Sequence, residues 1–376
     1  MKRRILFLLS ALFLSVVMVG CGQKAKNEEE ASKETTNVTK ETSQADEKNE
    51  ANEASPTNEE MKIAYGVPAI NNGFHQAQAD WAKKYAEEKY GAKVEVFDGK
   101  SDADTINQNF REMVLKGFDM ATIQPWKGED IKTDAEEAIN NGMIVTTFYG
   151  TIPGVAVPQV TSAEADVSEE MGKIAAEQWK KAHPDKPIKF VSIGWPDNES
   201  VKTGRTDPFA KGVLSVDPTA IDLGCKDGSK GADAAKKIIQ DLLVSDPDIN
   251  IIYSEAGDLT VGVLPALEEA GRGKMDNGVP LTEILCSVDC PQNELITCFD
   301  PNSSLKMSMG IPPKEVAYAK IDTLFGIKEG KIKKDDPSMI YVPNKLIGYW
   351  SQKEAKEAFD WYNDQFGADV QIPEYK

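Results

Sequence analysis

Few residues in this chain have the type and spacing for covalent or metal chemistry. It carries five cysteines and two histidines. His75 and His183 stand apart and show no Cys/His ligand spacing, so a zinc site is not supported. No Gly-x-Ser-x-Gly elbow and no phosphate-binding glycine loop occurs, which argues against a secreted hydrolase and for a protein without catalysis or cofactor. Cys225, Cys286, Cys290 and Cys298 are even in number. In an exported chain they could pair as disulfides or stay as packed thiols, and spacing assigns no pairs.

Cys21 differs because of what precedes it. Lys2, Arg3 and Arg4 are followed by a charge-free run from Ile5 to Val19 and by Gly20. A positive start, a short apolar core and small residues before a cleavage point form a secretory signal, too short to span a bilayer comfortably. Met18-Val19-Gly20-Cys21 resembles the bacterial lipobox, in which the cysteine becomes the new N-terminus and carries lipid of the palmitate type. Acyl chains contribute about 0.8 kcal/mol per buried CH₂, enough to anchor the chain at the outer face of the cell membrane without a spanning helix. Residues 22–60 hold Val38 as their one branched aliphatic and no aromatic. Such a stretch cannot bury apolar surface and is expected to be a disordered tether. The formal charge of -18 argues against a nucleic-acid partner.

From Met61 onward, β-rich runs alternate with amphipathic stretches, the pattern of βαβ units and a parallel sheet. Strands are expected at 62–66, 93–97, 120–124 and 143–148. The helices between them carry Phe74, Ala77, Trp81 and Tyr85, then Ile106, Phe110, Met113 and Val114, then Ile131, Ala135, Ala138 and Ile139. Gly91 closes the first helix, and Ser101 or Asp102 caps the second. The pattern restarts after Pro153 and Pro158, with helix 167–182, strand 188–193, a helix from Asp207, helix 234–243, strand 249–253, helix 259–270 and strand 284–288. The fold class is therefore α/β with two similar lobes. In open α/β sheets ligands sit beyond the carboxyl ends of the strands. In or near those loops stand Asn72, Phe74, Trp126, Lys127, Tyr149, Trp195, Arg205, Glu255, Asp258 and Asp289.

The stretch Leu242-Leu243-Val244-Ser245-Asp246-Pro247-Asp248-Ile249, continuing through Ile251-Ile252-Tyr253 and Gly262 to Gly271, resembles the ribose/galactose-type periplasmic binding proteins, the type I solute receptors of bacterial ABC transporters. Pro312, Val316 and the helix 317–325 add to the likeness, which runs from about Lys62 to Lys331. The resemblance implies two lobes joined by a multi-stranded hinge: residues 61–152 plus about 310–337, and 153–309 plus about 338–376. It implies a monomer that delivers a sugar or sugar derivative to a transporter permease by closing its cleft. A sensory receptor for a membrane kinase or chemoreceptor, or a binder of an anionic or nucleoside-like solute, is the alternative.

By that resemblance Phe74 matches an aromatic that stacks on a sugar ring, Arg205 an arginine that donates to ring and hydroxyl oxygens, and Asp289 a carboxylate that accepts from hydroxyls. The chain also departs from the family pattern. Lys127 and Tyr149 stand where acidic residues are usual, Ala256-Gly257 replaces an Asn-Asp pair between Glu255 and Asp258, and Gly310 replaces a glutamine. Lys127 with Arg205 would make the site partly cationic and suit a carboxylate or phosphate. Alternatively Lys127 points to solvent and Trp126 turns inward as a second stacking platform. Trp195 either lines the cleft or braces a loop.

Overall fold

The computed structural model describes residues 61–375. The expected export signal with Cys21 and the polar segment 22–60 lie outside the described residues.

The chain begins with β1 (Lys62–Val67), α1 (Gly73–Tyr90), β2 (Lys93–Asp98), α2 (Ala103–Leu115), β3 (Met120–Ile123), α3 (Lys132–Asn140), β4 (Ile144–Phe148) and β5 (Gln159–Ala163). These strands pair in parallel, and β1 buries every residue after Lys62, as expected of a sheet with helices on both faces. Asn72 caps α1, its Oδ1 accepting from the N–H groups of Phe74 and His75 at 2.9 and 3.3 Å. Gly91 ends that helix at a φ of 61°, a left-handed backbone that glycine adopts without steric cost. Of the two capping options for α2, Asp102 is the one used, accepting from Thr105 N–H at 2.7 Å.

The second lobe runs through α4 (Ala165–Ala182), β6 (Lys189–Gly194), α5 (Glu199–Val201), α6 (Asp207–Val216), β7 (Ile221–Asp227), α7 (Ala232–Ser245), β8 (Ile251–Ser254) and α8 (Gly257–Glu269). A small hairpin of β9 (Met275–Asp276) and β10 (Val279–Pro280) precedes β11 (Ile284–Val288), α9 (Gln292–Phe299) and β12 (Leu305–Gly310). The chain then supplies α10 (Pro313–Lys328) and β13 (Met339–Pro343) to the first lobe, and β14 (Lys345–Gly348) and α11 (Ala355–Phe366). The sheet orders are β13-β5-β4-β3-β1-β2 and β14-β12-β11-β8-β6-β7. All ladders in them are parallel except the antiparallel pairing of β14 with β12. Tyr65, Phe110 and Met120 are buried against the first sheet, whereas Phe190, Phe209 and Tyr253 belong to a buried cluster that also takes in Phe148 and Val160 of the first sheet.

Three segments cross between the lobes: Ala163 into α4, β12 into α10, and β13 into β14. A division at 152/153 and 337/338 assigns residues 159–163 and 339–343 to the second lobe. The sheet topology differs, because β5 pairs with β4 and β13 pairs with β5, so the first sheet ends at the crossovers themselves. β5, with the sequence Gln-Val-Thr-Ser-Ala, offers no apolar run by which to recognise it. β7 was hidden for a related reason, being an edge strand with an exposed start and end.

Candidate ligand-binding site

Four candidate residues occupy the first position after a strand: Tyr149 after β4, Trp195 after β6, Glu255 after β8 and Asp289 after β11. The register of two parallel sheets therefore delivers them to the carboxyl ends of the strands. Tyr149 and Asp289 have φ values of 52° and 81°, in the left-handed region that costs a non-glycine residue free energy and recurs at functional sites.

Arg205 lies in a π-helical stretch, Lys202–Thr206, leading into α6. Such turns are rare and concentrate at functional sites. α6 lies so close to α4 that a methyl group on Gly212 would stand 2.0 Å from Glu169 O. That approach brings Arg205 to Glu164, the residue that opens α4. Arg205 Nε and Nη2 donate to the two carboxylate oxygens of Glu164 at 2.9 and 2.7 Å, and Nη1 donates to Glu255 O. The arginine side chain is only 11% exposed and that of Glu164 6%. A forked arginine–carboxylate pair of this kind is geometrically specific as well as strong. Tyr149 Oη donates to Glu164 as well. The glutamate thus joins a first-lobe side chain to a second-lobe one.

Glu255 is fully buried and accepts from Trp195 N–H at 3.2 Å, from Thr206 Oγ1 and from Cys225 Sγ. Burial pushes its carboxyl pKa up, while Thr206 and the Trp195 amide oppose the rise. A Cβ on Gly194 would overlap Glu255 Oε2, so only glycine leaves room for this carboxylate. Asp289 Oδ2 accepts from Gly257 N–H at 3.2 Å. Its carboxyl is also raised by burial, with the Arg205 charge pulling the other way.

On the first-lobe side, Phe74 is half-buried and its ring packs 6.4 Å from that of Phe148. Phe148 in turn lies 4.4 Å from Tyr149. Asn72 acts as the helix cap that orients Phe74. Beneath them Gln78 Oε1 accepts from Tyr65 Oη at 3.1 Å and lies 3.5 Å from Lys320 Nζ, an amino group over the Tyr65 and Phe148 rings whose pKa burial pushes well down. Burial, and then the Lys320 charge, push the His75 pKa down to about 3.

Three candidates stand outside this arrangement. Lys127 is exposed and paired with Asp104 at 3.2 Å. Trp126 is 49% exposed and does not turn inward. Asp258 is on the exposed side of the first turn of α8. Lys127 and Arg205 each face a carboxylate of their own, Asp104 and Glu164. At Gly310 a Cβ would lie 2.5 Å from the Trp361 ring, so an indole from α11 fills the space a longer side chain would need. The four cysteines are free thiols. Sequence reasoning missed Glu164, Thr206 and Gln78. The positive φ values and the π-helical turn that mark this region are backbone features, which composition does not encode.

Comparison with known proteins gives a consistent picture. The model of the periplasmic binding protein domain matches residues 63–332. The ribose import binding protein of Bacillus subtilis (strain 168) is 22% identical over 219 residues, 58% of this chain and 69% of that protein. Its Escherichia coli (strain K12) counterpart is 23% identical over 213 residues, 56% of this chain and 69% of that one. A Mycobacterium smegmatis protein in complex with β-D-fucofuranose superimposes with a TM-score of 0.64 at 15% identity, over 82% of this chain and 96% of its own. The Caulobacter myo-inositol binding protein bound to myo-inositol gives 0.63 at 18% identity, over 82% and 99%. At these identities the structures establish a shared fold.

Proposed function

The chain belongs to the periplasmic binding protein domain family, and on that premise we propose that it captures a neutral, many-hydroxylated solute of the sugar class and presents it, chemically unchanged, to an ABC transporter. The observation that carries this reading is the charge balance around Arg205. Its guanidinium is held in a fork by Glu164, with Glu255 and Asp289 nearby and Lys127 turned away to Asp104. A carboxylate or phosphate ligand would find the Arg205 charge already balanced by Glu164. Hydroxyl groups can donate to Asp289 and accept from the N–H groups of Arg205 that Glu164 leaves free.

Phe74 supplies the apolar surface for a ring face, and hydrogen bonds to charged partners contribute about 1.5–3 kcal/mol each. A few such contacts reach the roughly -8 kcal/mol of micromolar affinity. The contacts come from both lobes, so ligand favours the closed arrangement over the open one, with the three crossovers as the hinge.

Calorimetry against D-ribose, D-galactose, L-arabinose, myo-inositol and D-galacturonate tests the reading. Saturable binding of a neutral member is expected. Binding of galacturonate alone would sink the charge argument, and no binding across a wider panel of sugars and polyols would sink the sugar class.

The anchoring reading rests on Met18-Val19-Gly20-Cys21 and is part of the same proposal. No helix among the described residues is long and apolar enough to cross a membrane, and acyl chains on Cys21 would hold the protein at the extracytoplasmic face. Cys21→Ser should release it into the medium and abolish incorporation of labelled palmitate. Retention of the variant on membranes would show a different attachment.

A further inference from the structure

Behind the Asp289 turn lies a buried carboxyl group that the binding reading does not use. Glu294, on the first turn of α9, is 1% exposed. Its two carboxyl oxygens lie 2.6 Å from Ser287 Oγ and 2.8 Å from Ser308 Oγ. Each serine leads towards Asp289. Ser308 Oγ accepts from Cys290 N–H at 3.0 Å, and Cys290, with a φ of 48°, is the second left-handed residue of the turn that carries Asp289. Ser287 Oγ lies 2.6 Å from Thr260 Oγ1, which is 3.1 Å from Ala256 O. The next residue, Gly257, donates its N–H to Asp289.

Proton counting constrains this chain. The contacts Thr260–Ala256 O, Thr260–Ser287, Ser287–Glu294 and Ser308–Glu294 need four hydrogens. The three hydroxyls supply one each. A carboxylic acid proton directed from Glu294 Oε1 to Ser287 supplies the fourth, so that Ser287 donates to Thr260 and Thr260 to Ala256 O, a carbonyl that also accepts from Ser254 Oγ. We propose that Glu294 is a neutral carboxylic acid that anchors two hydroxyl relays positioning Asp289 for ligand, its proton completing the Ser287 relay and its other oxygen accepting from Ser308. The proposal rests on Asp289 being a ligand-binding carboxylate.

Burial pushes the Glu294 carboxyl up to about 8, against the serine hydroxyls that favour its ionised form, in agreement with the proton count. The titratable neighbours are Asp289 and Cys290 on the turn, Cys286 on β11, Cys298 on α9, Lys306 on β12 and Tyr362 on α11. Lys306 directs its amino group to Asp300 O, and burial lowers its pKa to about 8, so it titrates in the same range and the Glu294→Gln comparison separates the two groups. Loss of the Glu294 proton would leave Ser287 one donor short and place a second negative charge beside Asp289. Cleft closure, which removes water from that pair, would then be disfavoured.

Amide hydrogen exchange in the ligand-free protein reads the two relays separately. Ser308→Ala should speed exchange at Cys290 about tenfold or more and leave Gly257 unchanged. Ser287→Ala should do the reverse. Glu294→Leu, if it folds, should loosen both amides. Glu294→Gln, whose amide can donate to Ser287 while its oxygen accepts from Ser308, should loosen neither. Wild-type affinity for D-galactose or D-ribose, whichever binds, should fall as pH rises from 7 to 9, and Glu294→Gln should keep its affinity level.

Unchanged exchange in both serine variants would overturn the relays. Loosened amides in Glu294→Gln, or a wild-type affinity level with pH, would overturn the acid proton. If the exchange pattern holds but no sugar binds wild-type protein, the sugar reading fails while the relay stands.

Discussion

Removing Glu164 tests both the stability and the specificity assigned to its pair with Arg205. Glu164→Ala leaves a guanidinium that is 11% exposed with one protein acceptor, Glu255 O, in place of three. Stripping a buried ion pair of one partner costs about 3–5 kcal/mol, and the retained carbonyl bond favours the lower end. With an unfolding entropy of about 2.1 cal/mol/K per residue, residues 61–375 give roughly 0.7 kcal/mol/K, so a loss of about 3 kcal/mol lowers Tm by about 4–5 °C if both lobes unfold together. The double variant Glu164→Leu, Arg205→Met removes both charges and should recover most of that loss, yet bind no sugar. Calorimetric melting of the three proteins reads the stability. Ligand titration reads the specificity: Glu164→Ala should gain galacturonate binding, because Arg205 is then free to pair with a carboxylate. A single variant that melts with wild type, or a double variant no more stable than the single, would refute a buried pair that matters. Continued rejection of galacturonate would refute its role in charge selection.

Other outcomes follow from the same geometry. Lys127→Ala should leave both Tm and sugar affinity unchanged, since its partner Asp104 is on the surface; a tenfold loss of affinity would return Lys127 to the site. Gly194→Ala places a methyl on Glu255 and should cost about 1–3 kcal/mol of stability while weakening sugar binding, both measurable on one sample. Between pH 4.5 and about 8 the native state keeps the Glu294 proton that the unfolded chain has lost, so the Glu294 contribution to wild-type stability falls as pH rises through that window and levels off above it. Glu294→Gln removes this loss and should gain on wild type by on the order of 4 kcal/mol across the window. Parallel melting curves from pH 5 to 9 would contradict it.

Much of this architecture was legible in the order of residues. The apolar runs at Ile63, Val145 and Ile252, and the helical spacing of Ile106, Phe110 and Met113, reflect burial periodicities that any packing of these elements must satisfy. The capping residues Asn72, Asp102 and Gly91 were readable for the same local reason. Short or polar elements were not. β5 and β7 form because neighbouring strands offer them unpaired N–H and C=O groups, a requirement met by position rather than by side-chain pattern.

By itself the sequence determined the two-lobe α/β class and the loops in which a site must lie, because strand ends and helix starts are local properties. It named Phe74, Arg205 and Asp289 through their likeness to a known family. Only the tertiary structure decided which charges meet. Lys127 and Arg205 are both cations that follow strands of an α/β pattern, yet one faces Asp104 on the surface and the other Glu164 beneath the hinge. That difference arises from the close approach of α4 to α6 and from the crossover at Ala163, which join residues 41 positions apart. Electrostatic energy depends on separation and on the water left between charges, and neither quantity is set until the chain has folded.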